Sequence, residues 1–183
     1  ETGCPPLWPA ARINTLLWMA ETGFGHGAAI ETEADEDAKF VYRMMCEDVG
    51  AIDVDAMMTA LKDRVTLMRE WERFLRQFPV LLCPVSGELP FAQQLDVRSE
   101  ADFEQVFRAQ LTQRALPVMG MPALAVATAA DGGPPMGVQL VSGRFREDIL
   151  FAAARVIEAA GPAPDVAEPT WGSVPVEAPR GAP

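Results

Sequence analysis

The sequence predicts an α/β fold, a mixed sheet flanked by helices. Two kinds of segment predict it. Residues 53–77 and 147–160 carry apolar side chains at three- and four-residue steps, the spacing of amphipathic helices. Residues 79–85, 123–128 and 137–141 are short unbroken apolar runs, the pattern of strands covered on both faces. Size and composition agree with one ordinary globular domain: 183 residues, 49% hydrophobic and 22% charged.

In chain order, residues 1–9 hold Pro5, Pro6 and Pro9 and read as an extended lead-in. Residues 10–21 place Ile13, Leu16, Leu17 and Ala20 at helical spacing, and Gly23, Gly25 and Gly27 are expected to break that helix. The acidic run Glu31–Asp37 suits a helix N-terminus. It opens a second helix through Phe40, Val41, Met44 and Met45, stopped by Gly50. Asp53 caps the long helix 53–77, whose expected buried stripe is Val54, Met57, Met58, Leu61, Val65, Met68, Leu75 and Phe78. The strand 79–85 ends at Pro84, and 86–98 reads as loop. Ser99 and Asp102 form a capping-box-like start for a helix with Phe103, Val106, Phe107 and Leu111 inward.

Only the eight residues 129–136 separate the last two strand cores, too few for a crossover helix, so these strands are expected to pair antiparallel. Asp131-Gly132-Gly133 supplies the turn. The final helix buries Ile149, Leu150, Ala153, Ile157 and Ala160 and stops at Gly161-Pro162. The domain is expected to span 1–161, with 162–183 a Pro-rich irregular tail. Three strands make a thin sheet for this many helices, which points to strands supplied from elsewhere. The chain opens Glu1-Thr2-Gly3, which fits either residues left by expression or an internal piece of a longer protein.

Charge removes whole classes of partner. Fifteen basic against 26 acidic residues give a net charge of −11, which disfavours nucleic acid and anionic membrane surfaces. No apolar run is long enough for a membrane span, and no basic, then apolar, leader is visible. Three cysteines, Cys4, Cys46 and Cys83, fit a reduced compartment, so a cytoplasmic location is expected.

No catalytic constellation emerges from the residues themselves. Gly23-Phe24-Gly25-His26-Gly27 follows a helix and lacks a Lys-Ser/Thr ending, so it is not a phosphate loop. The acidic run has Lys39 and Phe40 where a calcium loop needs other residues. Cys46 and Cys83 sit among apolar neighbours as inert thiols. The serines Ser86, Ser99, Ser142 and Ser173 lack a nucleophile-elbow setting. Ser86 follows a strand end, where α/β proteins place function, but has no base in sequence reach. Trp71 and Phe74 read as packing. Gln139 puts an amide into an apolar strand and needs hydrogen-bond partners there.

Residues 116–158 change the reading. Gly120-Met121-Pro122-Ala123, then Pro134-Pro135-Met136-Gly137-Val138-Gln139-Leu140, then Phe145, Glu147, Asp148, Leu150 and Glu158 stand in the order of the C-terminal signature region of the amidase signature family, which this stretch closely resembles. Upstream, Ala60-Leu61 with Arg64 is similar to that family's long helix, and Phe78–Pro84 to its following strand. The resemblance runs from about residue 10 to 160. It departs from the family at Pro79, where an Asp is usual, at Pro117, where an Asn is usual, and at Ala127, where a Pro is usual.

The resemblance implies an incomplete C-terminal part of the amidase-signature fold, from a hydrolase that cleaves a carboxamide C–N bond. Such enzymes use a Ser-cisSer-Lys triad. One serine attacks the carbonyl, the second relays its proton through a neutral lysine, and backbone N–H groups hold the oxyanion. Neither Lys39 nor Lys62 stands in a matching context, so no catalytic residue is expected in this chain. The implied contribution is a sheet edge and walls of the substrate pocket, with Pro84, Val85, Ser86 and Gln139 as candidate wall residues. A small amide substrate and a missing N-terminal portion, or a companion chain with the triad, are the implied partners. A homo-oligomer is possible, and no metal or organic cofactor is called for. The alternatives are a non-catalytic amidase-like remnant used for binding or assembly, and the A subunit of a tRNA-dependent amidotransferase.

Overall fold

The computed structural model of the protein describes residues 3–129 and 136–161. The tail expected over 162–183, Ser173 and the Asp131-Gly132-Gly133 turn lie outside the described residues.

Seven α-helices and three strands follow one another among the described residues. They are α1 (Trp8–Gly25), α2 (Gly27–Glu33), α3 (Glu36–Val49), α4 (Val54–Gln77), β1 (Leu81–Pro84), α5 (Glu100–Ala109), α6 (Leu111–Met119), β2 (Ala123–Ala129), β3 (Met136–Val141) and α7 (Glu147–Ala160). A short 3₁₀ turn, Leu95–Val97, interrupts the loop before α5.

Local chemistry sets most of these boundaries. Asp35, Asp53 and Ser99 each accept a backbone N–H three residues on, from Ala38, Ala56 and Asp102, and so cap α3, α4 and α5. The acidic run thus works as a helix start, with Glu36 and Asp37 in the first turn of α3. Gly120, at φ 68°, closes α6 in the left-handed region that glycine tolerates.

Two expectations about helices need correction. Gly23 and Gly25 do not break the first helix; α1 runs to Gly25, and α2 begins two residues later at Gly27. Gly27 has a reason to lack a side chain, since a Cβ there would meet the Tyr42 hydroxyl at 2.9 Å. The helix after Ser99 is two helices, separated at Gln110.

The three strands form one sheet in the order β1-β3-β2. β3 pairs antiparallel with both neighbours: Leu82 and Leu124 stand opposite Leu140, and Cys83 and Ala125 opposite Gln139. The expected pairing of the last two strands is present. The sheet is not mixed in its pairings, because β1 and β2 run the same way and β3 separates them.

Alternation along β3 assigns its faces. Leu140 and Val126 pack with Leu150 and Ala154 of α7, with Leu124, Val138 and Ile157 against them. Val141 faces the other way, into a core with Trp71 and Leu75 of α4, Ala115 and Met119 of α6 and Ala10, Ala11 and Ile13 of α1. A third cluster joins Met19, Met44, Met45, Phe103 and Phe107. Coverage on both faces holds for the C-terminal half of β3 but not for its neighbours. Leu82 is 58% exposed, and Ala123, Ala125 and Ala127 are exposed on β2.

The long helix carries two apolar stripes, not one. The buried stripe is Ala60, Leu67, Trp71 and Leu75, lying against α1 and α6. Arg64 reinforces this face by donating from Nε to the carbonyl of Val118. The stripe expected to be buried is exposed along its first half: Val54, Met57, Met58, Leu61 and Val65. No helix is long and apolar enough to cross a membrane among the described residues.

Trp71 is fully buried and stacks edge-on against Phe74, with centroids 5.8 Å apart. Trp71→Ala is expected to cost about 3–5 kcal/mol, read as a lowered denaturant midpoint. Gly137 faces the β2 backbone so closely that a Cβ would lie 2.9 Å from the carbonyl oxygen of Val126. Gly137→Ala is therefore expected to destabilise by about 1–3 kcal/mol, whereas Gly161→Ala, with open space around it, should stay within about 0.5 kcal/mol.

Candidate functional site

The chain leaves β1 at Pro84 and enters a loop that rests on the α5–α6 corner. Four donors strap it there. The Thr112 hydroxyl donates to the Val85 carbonyl at 2.7 Å, and Gln113 Nε2 donates to the same oxygen at 3.3 Å. Gly87 N–H donates to the Ala109 carbonyl at 2.8 Å, and Gln105 Nε2 donates to Glu88 Oε2 at 2.7 Å. The break at Gln110 makes this possible, because it turns the carbonyl of Ala109 out of the helical ladder toward the loop. Gly87 fits the corner closely; a Cβ would lie 3.4 Å from Ala109 Cα.

Between this loop, α6 and the start of β3 lies an open cavity of about 720 Å³. Pro84, Val85 and Ser86 line it, as do Gly87, Glu88, Leu89, Pro90 and Phe91 from the rest of the loop. Gln110 and Gln113 line the helical side, and Met136 and Gly137 the strand side. The size suits a small organic molecule, and the lining combines apolar surface with a few polar groups.

The sequence-predicted wall residues fall in two places. Pro84, Val85 and Ser86 are in the wall. Gln139 is on β3 two residues beyond Gly137 and is not a lining residue. It is buried, and its Nε2 lies 4.0 Å from the Cys83 sulfur on the neighbouring strand. Glu88 to Phe91, Gln110 and Gln113 had no motif to mark them.

Among the described lining residues none is placed to activate a nucleophile. The Ser86 hydroxyl accepts the Glu88 N–H at 3.3 Å, and the lining residues include no histidine and no lysine. Burial pushes the Cys83 thiol above its ordinary range, which disfavours the thiolate. Ser142 is buried and donates to the Pro79 carbonyl at 2.8 Å, a structural tie between β1 and the turn into α7.

Arg114 is a buried cation elsewhere in the fold. Its Nη1 donates to Thr15 Oγ1 at 3.1 Å and its Nη2 to the Phe107 carbonyl at 2.9 Å, while its guanidinium lies 3.5 Å from the Phe107 ring centroid. Burial pushes its pKa down, with Asp48 opposing. It ties α1, α5 and α6 together on the side of α6 away from solvent.

No protein-family model matches the chain. The indoleacetamide hydrolase of Bradyrhizobium diazoefficiens is 32% identical over 152 residues, covering 82% of this chain and 28% of that protein. The A chain of the glutamyl-tRNA(Gln) amidotransferase of Clostridium kluyveri is 28% identical over 104 residues, covering 57% of this chain and 20% of that protein. The chain therefore spans less than a third of the length of these relatives. A solved structure of 6-aminohexanoate cyclic dimer hydrolase with its substrate superposes with a TM-score of 0.59, over 88% of this chain and 37% of that one, at 19% identity. The ordered motifs, the curated relatives and the shared fold agree: the chain belongs to the amidase signature family.

Proposed function

We propose that this chain is the C-terminal portion of an amidase-signature hydrolase that cleaves a carboxamide C–N bond. In this reading the Ser-cisSer-Lys triad lies outside the chain. The chain supplies one edge of the sheet and, through the loop 84–91, a wall of the substrate pocket. The observation that carries it is the match to an amide hydrolase over 82% of this chain but 28% of the relative.

The surface supports the same reading. Val54 is 74% exposed and Met58 61%, on a helix whose other face is well packed. Phe145 is 80% exposed and has φ 62°, a strained backbone for an aromatic residue. The exposed apolar stripe along the first half of α4 is the kind of surface that another polypeptide covers. Both outer edges of the sheet, on β1 and β2, are unpaired among the described residues. A missing N-terminal portion or a companion chain would close them.

The amidotransferase reading draws on the Clostridium kluyveri relative, which matches a shorter part of this chain at lower identity. With a net charge of −11, the chain offers little to RNA directly, so a nucleic-acid role would belong to a companion protein.

Ammonia release from a panel of carboxamides tests the placement of the chemistry. The 183-residue chain alone is expected to match buffer, and the longer polypeptide of its reading frame to accelerate hydrolysis. Turnover of about 1 per second or faster by the chain alone would place the catalytic groups within it and overturn the reading. In the longer protein, Thr112→Val removes the shorter strap on Val85. It is expected to raise KM about threefold to tenfold with kcat little changed, measured by steady-state kinetics.

A further inference from the structure

The polar groups around the cavity are unequally committed. The Ser86 hydroxyl accepts the Glu88 N–H and keeps its own O–H to donate, Gln113 spends one amide N–H on the Val85 carbonyl, and Gln110 also lines the cavity, so neutral hydrogen-bonding groups are available beside Glu88. Glu88 is the one charged side chain among the described lining residues. Its Oε2 is fixed by Gln105 Nε2 at 2.7 Å, and its Oε1 has no hydrogen-bond partner among the described residues. Its backbone is fixed too, since its own N–H is bonded to Ser86 and that of Gly87 to Ala109. The carboxylate is thus held at the cavity with one oxygen uncommitted. Beside it, Leu89, Pro90, Phe91 and Met136 present apolar surface.

We propose that this cavity selects amides that join an apolar body to a protonated amine, such as amino-acid amides, with Glu88 as the residue that recognises the ammonium group. The proposal rests on the reading of the loop 84–91 as a substrate-pocket wall and names the substrate class for it. An ammonium group has three donors and can meet Oε1 while remaining partly hydrated, so its desolvation stays small. A neutral amide of the same shape gains the apolar contacts and the neutral hydrogen bonds alone. A single carboxylate does not make a metal site, which needs several ligands.

Two probes of matched shape separate these contributions: phenylalaninamide, with an α-ammonium, and 3-phenylpropanamide, without one. Both are titrated into the 15N-labelled 183-residue chain at about pH 6, where the α-amine is protonated. Both are expected to shift the amide signals of residues 86–91. The cationic probe is expected to bind about threefold more tightly, as for a solvent-facing ion pair, and added salt should shrink that margin. Glu88→Gln should abolish the margin and leave the neutral probe unchanged. Gln105→Leu, which releases the carboxylate without removing it, should reduce the margin only in part. Equal affinity of the two probes for the unaltered chain overturns the role of Glu88 and leaves the cavity as a pocket wall. Failure of both probes to move these signals in the longer polypeptide of the reading frame, as well as in the 183-residue chain, overturns the pocket-wall reading itself.

Discussion

The fold depends on the burial of β3. It is the only described strand with a hydrogen-bonded neighbour on each side, and both faces of its C-terminal half are covered. Leu140 turns toward α7 and Val141 toward the core of α1, α4 and α6. Consecutive residues of one strand therefore join two separate apolar clusters. The loop of the candidate site hangs from this arrangement, since β1 is registered by β3 and delivers Pro84 opposite Val138. On the far side, α6 provides Thr112 and Gln113 to hold the loop. The cavity is thus bounded by a strand end, a helix face and a loop strapped between them.

Much of this was legible in the sequence, for physical reasons. Caps at Asp53 and Ser99 and the stop at Gly50 depend on local hydrogen bonds and backbone conformation, and they fell where their residue types suggest. The short apolar runs located all three strands, and the connection of eight residues gave the antiparallel pairing of the last two. The failures came where tertiary packing decides. Gly23 and Gly25 read as breakers, but α1 runs through them, with α3 packed alongside. The stripe on α4 was misassigned because the helix has two apolar faces, and periodicity cannot say which one meets a neighbour. Trp71 settles it in the structure, since its large ring occupies the centre of the core.

The site divides in the same way. Pro84 closes β1 and Val85 and Ser86 follow it; the family resemblance implied all three as wall residues, and Ser86 also stands where α/β folds place function. Glu88, Gln110 and Gln113 could not, because more than twenty residues separate the loop from the helix and no motif links them. Gln139 attracted notice as an amide in an apolar strand, and the structure gives it a buried place against Cys83 rather than one in the cavity. The break at Gln110 had no sequence signal, since neither glycine nor proline stands there; the loop carbonyls and amides that it serves lie far away in the chain.

The account makes β3 the centre of the structure and leaves the outer sides of β1 and β2 open. Native-state hydrogen exchange on the monomeric 183-residue chain tests this most directly. The amides of Leu140 and Val141 should exchange most slowly in the sheet, and those of β1 and β2 that point away from β3 should exchange at close to loop rates. Equal protection across all three strands in the monomer would contradict the account.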